Sequence, residues 1–111
     1  MNCNYNITIN AGGQPYISNT QVTVGTESVD IALGFRRLQP IGYFTVRMAT
    51  AIPTDATTTL PVTLTLNGTT RALTLPNGTP VTVADLENVL VFQVFNDRLN
   101  GILTLMSRTI V

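Results

Sequence analysis

The side chains that could support catalysis are few and scattered in this 111-residue chain. There is no histidine, so the commonest general base near neutral pH is missing. Cys3 is the single cysteine, and no histidine is present to activate its thiol. Asp85 and Glu87 are the two acidic residues closest in sequence, and a capped turn is the preferred interpretation of their spacing. The sequence therefore predicts a protein that is not an enzyme.

Metal and nucleic-acid sites are also weakly supported. The segment NDRLNG at 96–101 offers Asp97, Asn96 and Asn100 as oxygen ligands for Ca²⁺. It lacks the carboxylate density of a calcium loop, so an ordinary asparagine-rich turn is favoured. Six arginines balance six acidic residues and tryptophan is absent, which leaves neither a basic stripe nor an aromatic platform for nucleic acid. We predict no cofactor, no metal and no nucleic-acid partner.

The composition points instead to contacts between proteins. Charged residues make up 11% of the chain against a usual figure of about 25%, and there is no lysine. Lysine commonly protects exposed sheet edges, so we expect edges or faces to be covered by copies of the chain or by a larger partner; simple compositional drift is the alternative. No apolar run reaches the roughly 18 residues of a membrane span, and no signal peptide is recognisable, so we expect synthesis in a cytoplasm and no membrane partner.

The most regular stretch, residues 60–83, predicts a hairpin that would position most of the polar candidates. Asn67-Gly68 suits a two-residue type I′ turn between two alternating runs. This turn predicts four residue pairs: Leu66 with Thr69, Leu64 with Arg71, Val62 with Leu73, and Leu60 with Leu75. The aliphatic side chains then share one face, and four threonines share the other: Thr63, Thr65, Thr70 and Thr74.

Candidate contact residues follow from this hairpin and from one charged pair. The threonine face would be flat, uncharged and able to form hydrogen bonds. Arg36 and Arg37 either pair with carboxylates or contact a partner surface, where arginine is over-represented. Arg71, the charge on the aliphatic face, predicts that the hairpin tip projects past the core toward a partner. The candidate interface is therefore Arg36, Arg37, Thr63, Thr65, Thr70, Arg71 and Thr74.

Alternating patterns elsewhere predict further strands. They lie near residues 5–9, 20–24, 29–35, 41–52 and 102–111, with a short extended piece at 14–18 and a helical turn at 83–88. Residues 89–95, VLVFQVF, are apolar at nearly every position, so we expect the core to cover one face and a second sheet or another subunit to cover the other. The prediction is an all-β single domain over 1–111, an antiparallel sandwich or barrel of about seven to eight short strands. Residues 1–10 are a candidate N-terminal arm or edge strand.

Two segments carry a resemblance to a known group of proteins. TTTLPVTLTLNGTTRALTLPNGTPVTVADL at 57–86 and GILTLM at 101–106 are rich in threonine and asparagine, free of lysine and marked by Asn-Gly turns. In this composition and turn pattern the chain resembles small β-rich virion proteins of tailed phages, in particular head auxiliary (capsid decoration) proteins such as those of crAss-like phages. The resemblance implies a structural virion protein, made in the host cytoplasm, that packs on the phage head through copies of itself and a larger capsid protein. The alternative is a head- or tail-fibre module that binds a receptor or a carbohydrate.

Overall fold

The structure, a computed structural model, describes residues 16–34 and 41–110, and these form a closed barrel of seven strands. The strands and one 3₁₀ turn are β1 (Tyr16–Val24), β2 (Val29–Leu33), β3 (Ile41–Arg47), β4 (Val62–Leu66), β5 (Thr69–Thr74), the turn Val83–Leu86, β6 (Val89–Asp97) and β7 (Ile102–Ile110). The prediction of an all-β barrel or sandwich is confirmed, as a barrel. The predicted strand at 5–9 and the candidate arm at 1–10 lie outside the described residues.

The strands follow the order β1-β2-β4-β5-β7-β6-β3 around the barrel. Four neighbouring pairs are antiparallel, and three are parallel, namely β1–β3, β2–β4 and β5–β7. The pairing is therefore mixed, where the sequence predicted an antiparallel arrangement. Ring closure gives each described strand two neighbours, but the pairing is partial: β5 meets β7 only at Leu103 and Thr104, so residues 105–110 of β7 have no described strand in register on that side. The expectation that a partner covers an edge or a face stays a prediction.

The hairpin of β4 and β5 has the predicted tight turn but is shorter than predicted. Asn67 and Gly68 have φ angles of 53° and 83°, and the register pairs Leu66 with Thr69. Farther along, the backbone at Val81 enters between the strands. The Val62 N–H donates to the Val81 carbonyl (2.8 Å), and the Val81 N–H donates to the Leu73 carbonyl (2.9 Å). The predicted direct pairs of Val62 with Leu73 and of Leu60 with Leu75 are therefore wrong, because the buried Val81 takes the space between them.

The first described strand joins two segments that the sequence treated as separate. β1 pairs with β3 through Tyr16–Ser18 and with β2 from Asn19 onward, with a register shift between Asn19 and Gln21. Val22 packs against the core, and Val24 is exposed. The shift lets one strand serve two neighbours and so helps to close the ring.

The barrel interior is filled by the inward side chains of every strand. The alternation along β2 and β3 buries Ile31, Phe44 and Val46. Phe92 on β6 and Leu73 on β5 complete the centre of the core. Among the described residues these side chains fill the centre of the barrel, as is usual for a barrel of about eight strands.

The two ends of the barrel are built differently. At the first, called the hairpin end, the β4–β5 turn and the turn at 98–101 lie together because β5 and β7 run parallel. At the second, called the loop end, residues 48–61 and the 3₁₀ turn fold over the core and bury Ala56 and Leu86. The predicted helical turn is confirmed, and the Thr82 N–H donates to Asp85 Oδ2 (2.9 Å) at its start.

Candidate functional site

Three of the predicted threonines form one cluster on the barrel wall around Asp30. The parallel register of β2 and β4 sets Asp30 beside Thr63. Thr63 Oγ1 donates to Asp30 Oδ1 (2.7 Å), and Thr65 Oγ1 lies 2.8 Å from both carboxylate oxygens. Thr70 Oγ1 lies 2.6 Å from Thr65 Oγ1. Since the Thr65 hydroxyl has one proton and gives it to Asp30, Thr70 is the donor in this last bond.

This hydroxyl cluster is largely satisfied from within. Each threonine proton is directed to a neighbour in the cluster, and the carboxylate already accepts from two hydroxyls. The prediction that Thr63, Thr65 and Thr70 share a face is confirmed. Their role in an interface stays a prediction, and the internal bonds leave a partner fewer free donors than an open row of threonines would offer.

The other predicted interface residues do not join this cluster. Thr74 is half-buried, and its hydroxyl donates to the Leu103 carbonyl (3.1 Å) on β7. The separation arises because the Val81 segment lies between β4 and the end of β5. Arg36 and Arg37 lie outside the described residues.

Arg71 does not mark a projecting tip. The tip residues 67–70 are exposed, and their reaching past the core toward a partner stays a prediction. The position of Arg71 opposite Leu64 directs it to the barrel interior at the hairpin end, where it is half-buried. Its Nη1 donates to Oδ1 of Asn96 (3.3 Å), a side chain that is only 4% exposed. These two residues line a cavity of about 210 Å³ together with Leu64, Leu66, Asn67, Thr69, Arg98 and Leu103.

A second surface, which the sequence did not indicate as a site, lies on the wall formed by β1, β3, β6 and β7. Tyr43 and Phe95 are cross-strand partners whose ring centroids are 5.1 Å apart at an interplanar angle of 62°. Two residues farther along β6, Asp97 is in register with Ile41 on one side and with Ile102 on the other. Tyr16 on β1 is in register with Thr45 on β3, and Thr45 is the next outward residue after Tyr43 on that strand. We call Tyr16, Ile41, Tyr43, Phe95 and Ile102 the aromatic face.

The aromatic face is unusually exposed for its side chains. Tyr16, Ile41, Tyr43 and Ile102 each show between 45% and 49% of their surface. The outward residues Val91 and Phe95 of β6 are half-buried, and no second sheet covers them in the described part of the chain. The alternative expectation, that another subunit covers this side of β6, stays a prediction.

The turn at 98–101 has the geometry of an ordinary asparagine-rich turn. Asp97 accepts hydrogen bonds from the Asn100 backbone N–H (3.3 Å) and from Asn100 Nδ2 (2.8 Å). Among residues 16–34 and 41–110, no group of three or more cysteine or acidic side chains is placed to hold a metal ion. In the same residues, no helix is long and apolar enough to cross a membrane.

Comparison with family models, with curated proteins and with solved structures finds no match to this chain.

Proposed function

We propose that this chain is a non-enzymatic structural protein that attaches to a larger assembly through its aromatic face, as a capsid auxiliary or decoration protein does on a phage head. The observation that carries the proposal is the ring pair Tyr43–Phe95 with Tyr16, Ile41 and Ile102 exposed on the same wall, the two isoleucines lying on either side of Asp97. Contiguous exposed apolar patches on soluble proteins mark interaction surfaces more often than isolated exposed residues do. Aromatic residues are also enriched at the centres of protein interfaces.

The closed barrel and the low charge favour contact through this face. Each described strand already has two neighbours in the ring, which limits the backbone that is open to strand pairing with a partner. Only 11% of the residues are charged, which lowers the desolvation cost of covering the wall. Under this proposal the partners are copies of the chain and a larger capsid protein, and the protein resides in the virion after synthesis in the host cytoplasm.

The attachment can be tested by replacing one exposed tyrosine. Tyr43→Ser removes the ring that meets Phe95 and should abolish co-sedimentation of the purified protein with phage heads that lack it. Val24→Ser is the matched control, because Val24 is exposed to nearly the same degree, 44% against 46%, and lies outside the aromatic face. Unchanged co-sedimentation of the Tyr43→Ser protein, or a wild-type protein that stays monomeric and does not bind heads, would refute the proposal.

The aromatic face also favours the alternative, a receptor- or carbohydrate-binding module. Tyr16 and Tyr43 are exposed on adjacent strands of one wall, and tyrosine rings can stack on the apolar faces of sugars. A glycan array probed with the wild-type protein separates the two functions. Glycan binding that disappears in both Tyr16→Ser and Tyr43→Ser would establish the alternative, whereas head binding without glycan binding would exclude it.

A further inference from the structure

The cavity at the hairpin end combines an apolar wall with two arginines. The half-buried Leu66 supplies accessible apolar surface, Leu64 and Leu103 line the cavity as buried core residues, and Arg71 and Arg98 supply positive charge. Arg71 is half-buried with its guanidinium against Asn96, and Arg98 is exposed in the turn that follows β6. The cavity and its charges are thus held by four adjoining strands, β4, β5, β7 and β6, and by the two turns of this end.

These two arginines have no carboxylate partner within the described residues. All six acidic side chains of the chain are described, and the ion pair found among them within 4.0 Å joins Asp85 to Arg108. Asp97, next in sequence to Arg98, accepts its hydrogen bonds from Asn100. The hydrogen bond from Arg71 goes to a neutral amide. A half-buried guanidinium without a counter-charge favours the binding of an anion.

The volume and the lining of the cavity limit which anions can fit in it. A volume of about 210 Å³ corresponds to roughly seven waters at about 30 Å³ each. This is smaller than the usual pocket for a nucleotide or a cofactor, which measures about 300–1,000 Å³. The leucines favour a short hydrocarbon stem below the charge, which inorganic phosphate lacks.

We propose that the hairpin end binds a carboxylate carried on a short aliphatic stem, about the size of a glutamate side chain. The carboxylate lies against Arg71 and Arg98, and its stem packs on Leu66. Such a group exists as a free short-chain carboxylate and as the glutamate side chain of a partner protein. The site shares no residue with the aromatic face. The proposal of a carboxylate site therefore does not depend on whether the protein attaches to an assembly through Tyr43.

The test is a titration of the whole ¹⁵N-labelled protein at low ionic strength, followed by NMR. The probes are butyrate and glutamate blocked at both ends as N-acetyl and N-methylamide; blocked glutamine and inorganic phosphate are the controls. We expect shifts at the amides of Arg71, Asn96 and Leu103, with a dissociation constant on the order of 1 mM for so small a ligand. Blocked glutamine should bind at least about ten-fold more weakly, because it lacks the charge that the guanidinium groups recognise.

Two variants test the assignment to the arginines. Arg71→Met should weaken binding about ten-fold or more, and Arg98→Gln, at an exposed position that folding tolerates, about three-fold. Arg47→Met is the matched control, because it removes the same charge from an exposed position on β3, away from the cavity. It should leave binding of the carboxylate unchanged.

Each result has a defined meaning. Binding of both carboxylates supports the shared chemistry, binding of butyrate alone assigns a free metabolite, and binding of blocked glutamate alone assigns a partner's side chain. No shift with either carboxylate, equal binding of phosphate or blocked glutamine, or binding that survives both Arg71→Met and Arg98→Gln overturns the proposal.

Discussion

Two asparagines are buried in this barrel, and the structure uses them in different ways. Asn19 is 3% exposed and is joined to the main chain of Thr50 by two short bonds: its Nδ2 donates to the Thr50 carbonyl (2.7 Å), and the Thr50 N–H donates to its Oδ1 (2.8 Å). Asn96 is 4% exposed, accepts a longer bond from the side chain of Arg71 (3.3 Å), and lines a cavity.

The difference separates a structural region from a candidate binding region. Bonds to main-chain groups fix Asn19 and hold the loop after β3 to β1, where little can move. A bond to a long arginine side chain can be exchanged for a bond to a ligand at small cost. We therefore expect the loop end to carry stability and the hairpin end to carry recognition.

The largest loss of stability is expected when a buried apolar side chain is truncated at the loop end. Leu86, in the 3₁₀ turn, is 3% exposed and packs in the core. Leu86→Ala should lower the free energy of unfolding by about 3 kcal/mol, because it removes buried methyl groups and leaves a void. Urea denaturation followed by circular dichroism measures this loss.

Leu66→Ala at the hairpin end is the control for that experiment. Leu66 is only half-buried and lines the cavity, so truncation should cost about 1 kcal/mol. Equal losses of unfolding free energy in Leu86→Ala and Leu66→Ala would show that the two ends contribute alike to stability. That result would contradict the assignment of stability to the loop end.

An intermediate effect is expected at the asparagines themselves. Asn19→Ala removes both bonds to Thr50 and should cost about 2 kcal/mol of unfolding free energy. Asn96→Ala should cost about 1 kcal/mol, because the adjoining cavity lets water replace the lost amide. Thermal and chemical denaturation of the two proteins, compared directly, measures the difference, and a larger loss for Asn96→Ala would reverse the assignment of roles.

The smallest effect is expected at Arg71. Arg71→Met removes a half-buried charge that has no carboxylate partner and places an apolar side chain beside Leu64 and Leu103. Unfolding free energy should stay within about 1 kcal/mol of wild type, with any change toward greater stability. A loss of about 2 kcal/mol or more, measured against Arg47→Met, would mean that Arg71 serves the fold and not a ligand.

Much of the local structure could be predicted from the sequence because it depends on short-range signals. Asn67-Gly68 specified the tight turn and the pair Leu64–Arg71, and the alternation of Val29, Ile31 and Leu33 specified β2 and its buried face. The helical turn starting after Thr82 followed from its capping residues. Each of these features is decided by residues fewer than about ten positions apart.

The candidate sites depended on contacts that carry no local signal. Arg71 meets Asn96 across the barrel interior, and Tyr43 meets Phe95 through pairing of strands distant in sequence. The alternation of Tyr43 with Phe44 is typical of a strand with one outer face, but it does not show which aromatic ring lies beside Tyr43. Likewise, the entry of Val81 between β4 and β5 depends on tertiary packing, so the pattern of the hairpin alone predicted too long a ladder.

The three parallel seams of the barrel also determine how fast this protein can fold. They join residues roughly 30 positions apart in the chain, such as Ile17 with Val46, Ile31 with Leu64, and Leu73 with Leu103. The entropy of closing these segments must be lost before the contacts between them form, and topologies of this kind fold in about milliseconds to seconds. We expect the β4–β5 and β6–β7 hairpins to form early and the joining of β5 to β7, where two residue pairs are in register, to limit the folding rate.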